Sequence, residues 1–283
     1  MTLTLFTPAY NRAHTLPRLY ESLRKQTCFD FEWLIIDDGS TDGTAEAAKG
    51  FTGEGKFPVR YVYKENGGKH TAHNLALNEA RGDWFLCVDS DDTLSPTAVA
   101  DILAAAHSLP ENTGIASYKT DLEGTLLGRP FPEDRRFAKM HTLSGEFAYA
   151  FPTAWAKQFP FPTYPGERFI SECVIYDRMD AKGQMLLLPK VTMPCEYQPD
   201  GYSHGINRLM KRNPLGFCLY FLQRIDLMPG RKQRLVIAGK YQCFRLIGGK
   251  QAPGYTGPHK LTAALAWPLG LCFRLYYKLL RGF

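Results

Sequence analysis

Acidic residues are nearly absent from the last quarter of this 283-residue sequence. From Ile206 to the end there are 14 Lys or Arg against one acid, Asp226, a net +13, whereas residues 1–205 carry 20 basic and 27 acidic residues, a net −7. So lopsided a tail excludes a self-neutralised surface and points to an anionic partner, with lipid headgroups and nucleic acid as the two candidates. No recognised nucleic-acid module occurs and the tail is rich in aliphatic residues, which disfavours nucleic acid. Long uncharged apolar runs are also missing. The one stretch of spanning length, Leu261 to Leu280, holds Pro268, Gly270, Arg274 and Lys278. These argue against a membrane span and for an interfacial helix, with Trp267, Phe273, Tyr276 and Tyr277 at headgroup depth and Arg274, Lys278 and Arg281 against anionic lipid. The basic clusters Lys211–Arg212 and Arg231–Lys232–Arg234 extend that footprint. A packed C-terminal helix with a solvated basic face is the plainer alternative.

The seven cysteines include no CxxC pair. An odd number without a signal peptide argues for free thiols in a reducing compartment, the cytosol by default, and together with the basic tail this predicts a peripheral position on the inner face of the cytoplasmic membrane. No internal repeat or low-complexity tract occurs. Hydrophobic, aromatic and charged fractions of 45%, 13% and 22% describe a folded chain whose length suits one large or two modest domains.

The informative stretch is Trp84 to Thr93, WFLCVDSDDT. Mostly apolar residues Trp84 to Val88 run straight into Asp89, Asp91 and Asp92, as a buried parallel strand does when it delivers charge to its carboxyl end, where open α/β sheets bind ligands. Carboxylates this close repel unless a cation or donor network compensates them, and Mg²⁺ or Mn²⁺ is the usual partner when phosphates are also bound. A solvated acidic turn capping the next helix is the bland reading.

Earlier segments follow the same rhythm. Leu3 to Phe6, Phe31 to Ile36 and Val59 to Tyr63 are predicted strands, and Leu16, Leu19, Tyr20 and Leu23 mark one apolar face of a helix. The second strand meets Asp37 and Asp38, after which Ser40, Thr41 or Asp42 can cap a short helix through about Lys49. The third meets Asn66-Gly67-Gly68-Lys69, where glycines at a helix start let backbone N–H groups approach an anion and Lys69 adds a point charge. His70 and His73 read equally well as surface or cap residues. With a further helix from Pro96 to about His107, the alternation predicts an α/β fold with a mostly parallel sheet.

The runs TPAYNR (7–12), LIIDDGSTDGT (34–44), NGGKHTAHNLAL (66–77) and CVDSDD (87–92) resemble, in order and spacing, the nucleotide-binding half of family 2 glycosyltransferases with the GT-A fold. That resemblance implies a Rossmann-like sheet flanked by helices and an inverting transferase that takes its sugar from a nucleotide sugar, UDP favoured. Asp38 would contact the nucleobase, and Pro8, Ala9, Tyr10, Asn11, Gly68, Lys69, Asp89 and Ser90 would complete the donor site. Asp89 and Asp91 would hold the metal, with Asp92 sharing it and the late His204 as a further ligand. Membrane attachment adds the expectation of a lipid-linked or saccharide acceptor, of the kind used in bacterial capsule or lipopolysaccharide synthesis, and the whole predicts three regions: a donor half (1–107), an acceptor half (108–205) and a basic, mainly helical membrane-association region (206–283).

In the second region Ile115 to Lys119, Thr125 to Gly128, Met185 to Leu188 and Val191 to Tyr197 are predicted strands. The aromatic segment Phe147 to Phe161 suits either a core or a sugar platform. Many family members place Glu-Asp before a helix, the Asp serving as base. This chain has Glu172 followed by Cys173. Glu172 is therefore the candidate base, against the alternative of an acid placed to suit a helix N-terminus. Two other classes compete. Asp89-Ser90-Asp91-Asp92-Thr93 also fits the nucleophile motif of haloacid dehalogenase-type phosphatases, although that motif ordinarily follows the first strand. A nucleotide-sugar-binding protein without catalysis is the other, motivated by Cys173.

Overall fold

The structure, a computed structural model, describes residues 1–53, 55–196 and 205–280. It divides into two compact units, Met1–Pro160 with Arg178–Gln198 and Phe161–Asp177 with Pro199–Phe283. The first unit opens with strict alternation: β1 (Leu3–Ala9), α1 (Leu16–Arg24), β2 (Phe31–Asp37), α2 (Thr44–Phe51), β3 (Val59–Tyr63), α3 (Lys69–Glu79), β4 (Trp84–Cys87) and α4 (Ala98–Ala106). All four strands run parallel. Helices cover both faces, so β2 is buried at every position and β1 at all but Pro8, which explains their near-continuous apolar composition. The apolar face expected on α1 is buried at Leu16, Leu19, Tyr20 and Leu23, each side chain contributing roughly 1.5–3 kcal/mol of burial.

The remaining strands are β5 (Thr113–Thr120), β6 (Phe137–Ala138), β7 (Phe147–Pro152) and β8 (Gln184–Pro194), with the short helix α5 (Thr153–Ala156) after β7. They complete an eight-stranded sheet in the order β3-β2-β1-β4-β7-β5-β8-β6. This half is mixed: β7 is antiparallel to β4 and β5, β8 is parallel to β5, and β6 is antiparallel to β8. Two predictions change here. The strands expected at 185–188 and 191–197 are one strand, β8, whose register shifts opposite Ser117 to Lys119 absorb the interruption. The strand expected at 125–128 is reduced to the bridges Thr120–Leu126 and Gly128–Gly145, because Asp121 and Gly124 turn the chain there: Asp121 accepts from the Thr125 N–H at 2.7 Å and Gly124 has φ +87°.

The second unit is helical. α6 (Cys173–Asp180) begins in it, and α7 (Ile206–Arg212), α8 (Pro214–Leu227), α9 (Arg231–Gly248), α10 (Lys260–Leu265) and α11 (Trp267–Leu280) follow. α8 starts at Pro214, and the Glu167 carboxylate accepts from the Leu215 and Gly216 N–H groups at 2.6 and 2.8 Å, which satisfies two donors that a helix start leaves open. α9 packs against α8 and α11 around Phe217, Phe221, Tyr241, Phe244 and Tyr277. The single helix expected over 261–280 is broken at Ala266, because Pro268 is tolerated only in a first turn and so sets the start of α11. Phe273 and Tyr277, expected at headgroup depth, instead pack in this core, while Trp267 and Tyr276 are exposed. Among the described residues no helix is long and apolar enough to cross a membrane.

Candidate active site

Parallel strands deliver their carboxyl ends to one rim. Ala9 pairs with Asp37 and Asp37 with Tyr63, while Phe6 pairs with Cys87. β5 and β8 end on the same side, since β5 runs antiparallel to β7 and β7 antiparallel to β4. The rim therefore gathers the segments after Ala9, Asp37, Tyr63, Cys87, Thr120 and Pro194.

Asp38 is the hub of one side. Its buried carboxylate accepts from Gly67 N at 2.9 Å, Gly68 N at 2.7 Å and Lys64 Nζ at 2.5 Å, and its carbonyl accepts from Asn66 Nδ2 at 2.8 Å. The anion that meets the Gly67 and Gly68 N–H groups is thus Asp38 itself. Gly68 has φ +94° at the N-cap of α3, a conformation L side chains rarely adopt, and a Cβ at Gly39 would fall 2.7 Å from Asn66 N, so both glycines are needed for this close approach. Asp37, also buried, accepts from Ser40 N and the Tyr61 hydroxyl, each at 2.7 Å. Asn11, at φ +55°, donates its N–H to Ser40 Oγ at 2.9 Å and accepts from Thr41 N at 2.9 Å, tying the loop after β1 to the loop after β2. Pro8 and Ala9 lie within β1, and Tyr10 stands 48% exposed at the rim. The cap of α2 expected at Ser40, Thr41 or Asp42 falls instead on Gly43; Asp42, one residue earlier, accepts from Thr44 N and Oγ1.

Across the rim, Asp89 to Asp92 form a tight turn in which Asp92 N donates to Asp89 O at 3.0 Å and Ser90 is buried. Lys69 Nζ spans both Asp89 oxygens, at 2.7 and 3.0 Å. Lys119, at the end of β5, lies 3.3 Å from Asp92 Oδ2. Arg18 donates to the Asp91 carbonyl and pairs with Glu196. Burial opposes the charge on Asp89, but Lys69 and Lys119 outweigh it and hold the carboxyl below its ordinary value. Burial raises Asp91, reinforced by the Asp89 charge, and burial also raises Asp92 against the pull of Lys119. Lys64, Lys119, Arg18 and Glu196 were not singled out from the sequence. Lys64 and Lys119 each stand at a strand end, the signal that flagged the aspartates.

A hard divalent cation suits the donor set. Asp91 is raised first by burial and then by the Asp89 carboxylate, a repulsion that a cation relieves, and Mg²⁺ or Mn²⁺ commonly takes only one or two carboxylates with phosphate and water completing its shell. Among the described residues no group of three or more His, Cys, Asp or Glu is arranged to hold a metal on its own. Asp92 is engaged with Lys119. His204 lies outside the described residues.

Glu172 belongs to the second unit, immediately before α6, where its carbonyl accepts from the Ile175 and Tyr176 N–H groups at 3.1 Å. Burial raises the Cys173 thiol, which keeps it protonated at neutral pH and unsuited to be a base. The aromatic segment resolves toward a core: Phe147, Phe151, Trp155, Phe159 and Phe161 are all buried.

The sequence profile of "Glycosyl transferase family 2" matches residues 4–161, more than half of the chain. This chain belongs to that family. A chondroitin synthase and a hyaluronan synthase of Pasteurella multocida are each 36% identical over 140 residues, 47% of this chain but 14% of theirs. Glycosyltransferase GlyA of Streptococcus pneumoniae is 26% identical over 178 residues, 59% of this chain and 25% of that protein. The chain thus spans well under two thirds of these relatives. Among solved structures, residues 1–349 of TarS from S. aureus in complex with UDP-GlcNAc superpose with a TM-score of 0.62 at 17% identity, covering 98% of this chain and 81% of that one. The mannosyltransferase PcManGT from Pyrobaculum calidifontis, in complex with GDP-Man and Mn²⁺, gives 0.56 at 20% identity, covering 98% and 75%. These likenesses show the GT-A fold, with the C-terminal helical region appended.

Proposed function

We propose that this chain transfers a sugar from a nucleotide sugar, UDP favoured, to a glycan or lipid-linked acceptor, with inversion at the anomeric carbon. The observation that carries this reading is the rim on which Asp38 with its glycine loop and the Asp89–Asp92 turn with its lysines meet at parallel strand ends. In this reading residues 1–107 hold the donor, 108–205 meet the acceptor and 206–283 meet an anionic membrane surface, on the cytoplasmic side, as in synthesis of a bacterial surface polysaccharide. The nucleotide sugars and UDP held by the TarS and PcManGT structures support the donor class.

Asp38 contacts the nucleobase and orders the glycine loop beside it, Pro8 to Asn11 line its other side, and Lys69 faces the diphosphate. The acceptor oxygen attacks the anomeric carbon, Glu172 takes its proton, and the bond to the diphosphate oxygen breaks with its electron pair leaving on the nucleotide. A Mn²⁺ or Mg²⁺ held by Asp91 and Asp89 would supply positive charge where the leaving diphosphate becomes more negative. The phosphatase reading loses ground because the aspartate motif follows the fourth strand, not the first.

Calorimetry with nucleoside diphosphates and nucleotide sugars, with and without Mn²⁺, tests the proposal. Binding of one nucleotide class that requires metal and is lost in Asp38→Ala and Asp91→Ala is expected. A folded protein that binds no nucleotide under either condition would remove the transferase reading.

A further inference from the structure

α11 is apolar on two faces. One face, with Phe273 and Tyr277, packs into the helical core. On the other, Trp267, Leu271, Leu275 and Leu279 follow one another at i, i+4, i+8 and i+12 and are 48%, 39%, 56% and 69% exposed, with the exposed Arg274 and Lys278 beside them. Leu261 and Leu265 of α10 are exposed as well, at 73% and 66%. Next to this stripe, within the same unit, lies a cavity of about 380 Å³ between α7, α9 and α11. Ile206, Met210, Phe273, Tyr276 and Tyr277 supply its apolar walls, and Lys240 and Asn207 its polar groups. Tyr276 joins the two features, since it lines the cavity and sits one helical turn from Leu279.

We infer that this cavity is a binding site for a single anionic phospholipid of the bilayer, one acyl chain lying against the aromatic walls and the phosphate meeting Lys240, while the leucine stripe of α11 rests in the acyl boundary. Charge and shape select this occupant together. The segment 206–283 is +13, apolar side chains stand exposed between basic ones, and the open cleft between α7, α9 and α11 is of small-molecule size and mixed in lining, with aromatic and aliphatic side chains beside Lys240 and Asn207, as an amphipathic lipid requires. A soluble anion would leave the aromatic walls unused, and a neutral lipid would offer no net negative charge to the half-buried Lys240, whose Nζ lies 5.5 Å over the Phe221 ring. The inference rests on the membrane reading above and adds to it a defined site.

Flotation of the full chain with phosphatidylcholine vesicles, with and without phosphatidylglycerol, separates the two claims. Nucleotide binding serves as the folding control. The wild type floats with phosphatidylglycerol vesicles, and Leu271→Glu with Leu275→Glu abolishes flotation. Lys240→Met and the cavity-filling Asn207→Trp still float, but native mass spectrometry of detergent-extracted protein shows about fivefold less co-purifying phosphatidylglycerol for Lys240→Met, the factor expected for one basic contact. A wild type that ignores phosphatidylglycerol vesicles overturns the membrane reading and the site together. Lipid retention equal to wild type in both cavity variants, or phosphatidylcholine retained as well as phosphatidylglycerol, overturns the site and leaves the membrane reading standing.

Discussion

The rim of the sheet and the C-terminal helical unit handle charge in opposite ways. At the rim Lys64 faces Asp38, Lys69 faces Asp89, Lys119 faces Asp92 and Arg18 faces Glu196. Residues 206–283 have one acid for 14 bases, and the first turn of α9 carries Arg231 and Lys232 with no acidic residue at all. Matched charges inside a site are preorganisation: they hold side chains where a ligand will need them and exchange partners when it arrives. Same-sign charges on a surface repel one another, so they reward the fold little and a counter-surface much. A basic side chain should therefore matter to stability at the rim and, where it stands exposed as Arg231 and Lys232 do, to binding in the helical unit; Arg224, paired with the buried Asp177 at 2.9 Å, is an exception there.

The largest expected effect removes charge from the rim while leaving its ion pairs alone. Asp91→Ala should lower kcat by about a thousandfold or more, the order implied by several kcal/mol of lost charge stabilisation, with an unchanged melting temperature. Retained activity in this well-folded variant would sink the site assignment.

Lys119→Met attacks a matched pair. Asp92 is only 7% exposed, so losing its partner should cost about 3 kcal/mol in denaturant unfolding. Because burial already raises the Asp92 carboxyl, the folded protein without Lys119 should hold the proton to higher pH than the unfolded chain, whose carboxyl keeps its ordinary 3.8. Destabilisation should then grow as pH rises above that value and shrink as pH falls towards it. A cost independent of pH would mean that Lys119 matters for packing alone.

How far the sequence reveals this contrast depends on how each partner reaches the rim. Asp38 and Asp89–Asp92 are visible because each directly follows an apolar run, and a parallel sheet sends such ends to one side. Lys119 is not, because its place depends on β7 inserting between β4 and β5, an order that local pattern does not encode. Arg18 meets the Asp91 carbonyl from a helix 73 residues away in sequence. In α11 both faces are apolar, so periodicity marks a helix but not which face is buried: Phe273 and Tyr277 go inward while Leu271 and Leu275 stay out. The break at Ala266, by contrast, was implicit in Pro268.

His70 tests the rim through pH. Burial, with Lys64 nearby, lowers its pKa from 6.5 to about 4, and Asp38 only partly opposes this. The unfolded chain then binds the extra proton between those values, so stability should be full above about pH 6.5 and fall by roughly 3 kcal/mol as the pH drops towards 4. His70→Gln should flatten that slope in thermal melts. An unchanged slope would assign the acid sensitivity to other groups.

The smallest effect has the opposite sign, and it discriminates best between the two regions. Arg231 and Lys232 are exposed in the first turn of α9, at the positive end of the helix dipole, where basic side chains are unfavourable by a few tenths of a kcal/mol each. Replacing both with Gln should leave stability unchanged or raise it by about 0.5 kcal/mol, while affinity for phosphatidylglycerol vesicles falls about fivefold per charge and the wild type's affinity drops with added salt. A rim lysine removed in the same way destabilises the fold. If Arg231→Gln with Lys232→Gln instead lowered the melting temperature, these charges would be serving the helical unit internally, and the contrast with the rim would collapse. If stability held and vesicle affinity also held, the basic surface would be turned towards some other anion.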